Sequence, residues 1–198
     1  MKYYPAFLKL KGKRVILFGG GSVALRKLKS LVETEAQVTA ISKEFSDEFL
    51  KFAKKNRTRI QPGNKLPKNW KTFSLVVAAT SEAAFNHGVY QQCERANIFV
   101  NVVDDPKHST FIVPSSFKRG ALQIAVSTGG KSPLLAKLIR KKLSRQFGRE
   151  YQGFLAELGR ERKKVKRLIV EQKERRNHFE KLIRMRLKSF RQPAGKKS

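Results

Sequence analysis

At 198 residues, 40% of them hydrophobic, the chain can bury a substantial core and is too apolar to be disordered throughout. No apolar run approaches the 18 residues of a membrane-spanning helix, the N-terminal MKYYPAFLKL lacks the marks of a secretory signal, and a single cysteine, Cys93, excludes a disulfide framework; a cytoplasmic protein without a structural zinc site is expected. The formal net charge of +29 attracts polyanions, whether nucleic acid, anionic lipid or a polycarboxylate, and it is concentrated in residues 137–198, where 22 Lys and Arg face six Glu.

The first element is the apolar run 13–18, KRVILF, which predicts a strand ending at Gly19. Residues 22–33 follow with Val23, Leu25, Leu28, Leu31 and Val32 at helical spacing. Residues 37–41 predict a second strand, and 45–55 a helix with Ser42 as its cap. A short third strand is expected over 57–61, then a loop marked by Pro62, Gly63, Asn64 and Pro67. The run SLVVAA at 74–79 is apolar on both faces, as a central parallel strand should be; a helix over 82–95 and a strand over 98–103 come next. This rhythm predicts an α/β fold with an N-terminal Rossmann-like parallel sheet.

After residue 110 the pattern changes. Two β-like stretches, 110–113 and 121–127, are separated by a turn at Lys118–Gly120. Pro133 then starts a helix with Leu134, Leu135, Leu138, Ile139 and Leu143 along one stripe. Tyr151, Phe154, Leu155 and Leu158 repeat the spacing, as do Phe179, Leu182, Ile183 and Leu187. The expected division is a dinucleotide-binding domain over 1–112, a dimerisation and substrate-loop segment over 113–147, a basic helical domain over 148–191 and a disordered tail over 192–198.

Gly19-Gly20-Gly21-Ser22-Val23-Ala24 fits G-x-G-x-x-A between a strand and a helix. Gly19 permits the tight turn, Gly21 lets the backbone approach a pyrophosphate, and Ala24 allows close helix–strand packing. The N–H groups of Ser22 and Val23 sit at the positive end of the helix, where phosphates bind. The second strand should end in an acid for the ribose of NAD, but the residues there are Ala40, Ile41, Ser42 and Lys43. Ser42 can bond a ribose and Lys43 can attract the 2′-phosphate of NADP, so this chemistry leaves the cofactor open. Ser127-Thr128-Gly129-Gly130-Lys131-Ser132, leading into a helix, is a candidate second anion site. No histidine forms a metal-ligand spacing, and no metal site is expected.

Several strings in order then resemble one family, the dehydrogenase–chelatase module of siroheme synthases. They are Tyr4-Pro5-Ala6-Phe7, the glycine loop with Arg26-Lys27, Val77-Ala78-Ala79-Thr80, Asn101-Val102-Val103-Asp104 with Pro106, Phe111-Ile112-Val113-Pro114-Ser115, and Val126-Ser127-Thr128-Gly129-Gly130-Lys131-Ser132-Pro133. The resemblance implies NAD as cofactor, oxidation of precorrin-2 to sirohydrochlorin, in some members Fe²⁺ insertion, and a homodimer. It implies Asp104 as the catalytic carboxylate, which a position after the fifth strand would set at the cofactor crevice as an acid–base group. Ser42, Lys43 and Glu44 would border the adenosine ribose, Thr80 would line the nicotinamide side, and Asn101 would polarise substrate or cofactor. The 127–132 loop would hold carboxylates of precorrin-2, and His108 is the histidine nearest Asp104 in sequence.

A rival reading keeps the nucleotide fold without catalysis and gives the basic helices to nucleic acid. No helix-turn-helix, zinc-finger or RNA-binding signature supports it.

Overall fold

The computed structural model describes residues 3–191; the tail expected over 192–198 lies outside them. The chain divides into two compact units, one ending at Val113 and the next beginning at Pro114.

In the first unit five parallel strands, β1 (Arg14–Phe18), β2 (Gln37–Ser42), β3 (Arg59–Pro62), β4 (Leu75–Ala78) and β5 (Phe99–Val102), lie in the order β3-β2-β1-β4-β5. The helices α1 (Ser22–Val32), α2 (Asp47–Lys55) and α3 (Ala83–Ala96) return the chain between strands. The order reverses beside β1, and such a switch point opens a crevice at the carboxyl ends of the strands.

The run that reads apolar on both faces is apolar because both faces are covered. Val15 and Leu17 meet Ala24, Leu28, Phe49 and Ala53 of α1 and α2, while Ile16 and Phe18 meet Val76, Val89 and Cys93 on the α3 side. Burial pushes the Cys93 thiol up to about 12, so it is an inert packing residue. The α2 cap differs from expectation. Ser46 Oγ accepts from Phe49 N at 3.3 Å, whereas Ser42 closes β2 and donates to the Glu44 carbonyl at 2.6 Å. Ser42 already carries strand pairing with Pro62, so it cannot also serve as the turn into the helix.

The stretch 110–113 is not a strand. Val100 N and Val102 N, on the outer side of β5, donate to Thr110 Oγ1 at 2.8 Å and Ser109 Oγ at 2.9 Å. Thr110 N returns a bond to Val100 O at 2.9 Å. Side-chain hydroxyls thus occupy the edge where a sixth strand would pair, and the chain leaves the sheet through Phe111.

The second unit starts with an antiparallel hairpin, β6 (Ser115–Arg119) and β7 (Leu122–Val126). Its two-residue loop opens on Gly120 with φ +58°, a position that hairpin loops reserve for glycine. Three helices follow: α4 (Pro133–Gln146), α5 (Glu150–Leu168) and α6 (Gln172–Arg191). Ser132 caps α4 by accepting from Leu135 N, with Pro133 in the first turn. Arg119 reaches from the hairpin to Ser144 O at 3.1 Å. α5 and α6 are joined by Phe154 against Phe190 and by Arg186 against Glu157 at 2.8 Å. The apolar stripe read on α4 is present but not buried: Ala136 faces inward, and Leu134, Leu135 and Leu138 are exposed.

Candidate functional site

The glycine loop is held from both sides. Gly19 has φ +115°, which favours glycine, and its N–H donates to Ile41 O at 2.9 Å. A Cβ on Gly19 would run into the Ala79 carbonyl, and one on Gly20 into the Glu44 carbonyl. Ser46 N closes the loop by donating to Gly20 O at 3.0 Å. Gly20 is therefore a structural requirement that the fingerprint, which assigns roles to Gly19, Gly21 and Ala24, left unassigned. Gly21 is different. It has an ordinary φ of −87°, and a Cβ there would meet nothing within 4 Å. The open space beside Gly21 and the first-turn N–H groups of Ser22 and Val23 fit a pyrophosphate.

That space belongs to a cleft of about 790 Å³ at the carboxyl end of the sheet, within the range of small-molecule sites. Gly20, Gly21, Ser22 and Val23 form its floor, Ser42, Lys43 and Glu44 one wall, and Thr80, Glu82 and Asp104 come from the ends of β4 and β5. Lys43 Nζ bonds Glu82 Oε1 at 2.6 Å. The Thr80 hydroxyl is engaged: it donates to Asn86 Oδ1 at 2.7 Å and accepts from Glu82 N at 3.2 Å. Thr80 therefore shapes the wall through its backbone and positions Glu82.

Asp104 follows β5 in the left-handed region, φ +60°, a conformation that Asp tolerates better than most residues. Its side chain is exposed, lines the cleft and accepts no hydrogen bond among the described residues. Lys27 on α1 is half-buried. Burial lowers the pKa of its ammonium, Arg26 lowers it further, and the Asp104 carboxylate opposes both.

Other candidates sit elsewhere. Asn101 is buried in β5, its Nδ2 donating to Phe111 O at 3.2 Å and its Oδ1 without a partner. It is not among the residues that line the cleft. His108 pairs with Asp105, not Asp104: Nδ1 and Oδ2 are 2.6 Å apart, and the ring packs on His87 and Tyr90. That bond holds the Asp105 carboxyl below its usual range. In the second unit, the loop Ser127–Ser132 is internally bonded. Ser127 Oγ accepts from Gly129 N, Thr128 Oγ1 accepts from Ser132 N and donates to Ser132 O, and Gly129 and Gly130 have φ of +63° and +86°. Among the described residues no cluster of His, Cys, Asp and Glu could hold a metal ion, and no helix is long and apolar enough to cross a membrane.

Residues 6–115 match the family described as "Putative NAD(P)-binding", and residues 119–146 match the one described as "Sirohaem biosynthesis protein central". Siroheme synthase 2 of Yersinia enterocolitica serotype O:8 is 40% identical over 184 residues, covering 92% of this chain and 39% of that protein. Siroheme synthase 3 of Aeromonas hydrophila is 40% identical over 183 residues, with the same coverage. The chain thus spans about two fifths of the length of the curated relatives it matches. Among solved structures, one titled "SirC, precorrin-2 dehydrogenase" superposes with a TM-score of 0.72 at 27% identity, covering 91% of this chain and 89% of that one.

Proposed function

This chain belongs to the NAD(P)-binding family, in the module it shares with siroheme synthases, and from that premise we propose that it oxidises precorrin-2 to sirohydrochlorin with NAD. The observation that carries the proposal is one cleft that joins the open space beside Gly21 to the exposed carboxylate of Asp104. Bound NAD⁺ supplies the hydride acceptor. The loop N–H groups of Ser22 and Val23 would hold its pyrophosphate, and the wall of Ser42, Lys43 and Glu44 would border its adenosine ribose. An Asp104 carboxylate oxygen takes the proton that precorrin-2 releases as its hydride departs. Its exposure and lack of hydrogen-bond partners leave it free for that transfer.

The loop 127–132 holds substrate carboxylates in this proposal, and Asn101 acts as a positioning group. In this proposal the chain is a cytoplasmic homodimer, and the exposed leucine face of α4 supports that reading by offering apolar surface for a second copy to cover.

Anaerobic incubation of the purified chain with precorrin-2 and NAD⁺ tests the activity. NADH and sirohydrochlorin should form together, and Asp104→Ala should lower turnover at least about tenfold with NAD⁺ still bound, a loss within the span of acid–base residues. Adding Fe²⁺ or Co²⁺ to the same cuvette tests metal insertion, the second activity the family resemblance implies. A folded chain that binds NAD⁺ but forms neither product would be a non-catalytic nucleotide-binding protein, with its basic helices given to nucleic acid.

A further inference from the structure

We infer that Glu82, through its ion pair with Lys43, sets the preference of the cleft for a dinucleotide with a free ribose 2′-hydroxyl over one carrying a 2′-phosphate. The inference rests on the dinucleotide reading above and names the residue that decides between the two forms of cofactor.

Folds of this kind that take NAD place an acid at the end of the second strand, where its carboxylate accepts from the ribose hydroxyls. Here β2 ends in Ser42 and is followed by Lys43. A lysine at that point, taken alone, would recruit a 2′-phosphate through charge-assisted hydrogen bonds. Glu82 reverses the preference. In the order β3-β2-β1-β4-β5, the segments that follow β2 and β4 flank the glycine loop that follows β1. Lys43 comes from the first flank and Glu82 from the second, and they meet at 2.6 Å. Both line the cleft and both side chains are about half exposed, 56% and 51%, so a ligand can reach the pair.

Glu82 does not reach Lys43 by accident of a loose side chain. Its N–H donates to Thr80 Oγ1, Thr80 Oγ1 donates to Asn86 Oδ1, and Asn86 Nδ2 returns to Thr80 O at 3.0 Å. Asn86 is buried, so this ring of bonds fixes the backbone from which Glu82 projects. The acid normally carried by β2 is thus delivered from the start of α3, with a lysine as its counter-ion.

Two consequences follow for the ligand. An ammonium already bonded to a carboxylate offers a 2′-phosphate little net charge, and the phosphate would arrive beside Glu82, like charge against like. A 2′-hydroxyl, by contrast, can donate to Glu82 as it would to the usual acid. Removing the carboxylate while keeping its shape frees Lys43 and should favour the phosphate.

The test is calorimetric titration of the full chain with NAD⁺ and with NADP⁺ at low salt, for the unaltered protein, Glu82→Gln, and the double variant Glu82→Gln/Lys43→Gln. In Glu82→Gln the ratio of NADP⁺ to NAD⁺ affinity should rise about tenfold, a modest factor because the pair is half exposed and screened. In the double variant it should fall back toward the starting value. A ratio within twofold of the starting one in Glu82→Gln, or a rise that persists without Lys43, overturns the assignment while leaving the cofactor reading intact. An unaltered chain that binds neither nucleotide overturns the cofactor reading and this inference with it.

Discussion

The two units of the chain bury their apolar residues very differently. In the first, whole strands disappear from solvent, with Val15, Ile16, Leu17 and Phe18 all at 0% exposure. In the second, among the described residues, only Ala136, Phe154 and Val165 are buried apolar side chains, while Leu134, Leu138 and Leu168 stay at 66%, 54% and 70% exposure. Covering a parallel sheet on both faces makes a closed core, whereas helices with one apolar face each need something to cover that face. The first unit holds the cleft on a closed core. The second has apolar surface to spare, which is the property of an assembly element.

The sharpest way to break that contrast is to hollow out the first unit. Phe18 is fully buried, with its ring 5.4 Å from Phe85 and 6.2 Å from Trp70. Phe18→Ala should lower the unfolding free energy by about 3–5 kcal/mol in a urea titration. A loss below about 1 kcal/mol would mean that the core relaxes around the gap, contrary to its tight packing. A smaller effect is expected where the scaffold meets the site. Gly20→Ala drives a methyl into the Glu44 carbonyl and should cost about 1–3 kcal/mol, typical of overpacking. It should also weaken NAD⁺ binding at least about tenfold, since the phosphate loop must shift. Unchanged affinity would show that the loop tolerates displacement.

These two sites also show what the sequence could reveal. The five strands were legible because buried parallel strands read as unbroken apolar runs, and the glycine loop because its spacing sits between strand and helix. Ser46 was not, since Phe45 extends the apolar pattern past the point where the helix starts, and only Ser42's pairing with Pro62 moves the cap to Ser46. The stretch 110–113 carries the β-forming residues Phe111, Ile112 and Val113, but its place is decided by hydroxyls of Ser109 and Thr110 bonding a strand already formed. Gly20 and Glu82 were hidden for another reason. Their roles depend on residues brought together by strand order: Gly20 on Glu44, and Glu82 on Lys43, 39 positions earlier. His108 is near Asp104 in sequence, yet the short turn that starts at Asp105 brings its ring to Asp105.

The remaining predictions sharpen the comparison at lower energies. Ser46→Ala removes the α2 cap and should destabilise the first unit by about 1 kcal/mol; no change in the urea midpoint would mean that solvent caps the helix equally well. Leu138→Asp, on the open face of α4, should alter the stability of the isolated chain by no more than about 0.5 kcal/mol. The same change should convert the proposed dimer to monomer in sedimentation velocity. Dimers that survive it would move the interface away from α4.

The hydroxyls that close β5 have a further effect. An exposed edge strand is a template for cross-β growth, because its unpaired N–H and C=O groups accept any extended chain that arrives. Here the N–H groups of Val100 and Val102 are already spoken for by Thr110 and Ser109, so a strand from another molecule finds no donors on that side. The opposite edge, β3, is four residues long, begins with Arg59 and ends at Pro62, which has no N–H to give. A strongly apolar sheet thus offers an arriving strand few free donors at either margin.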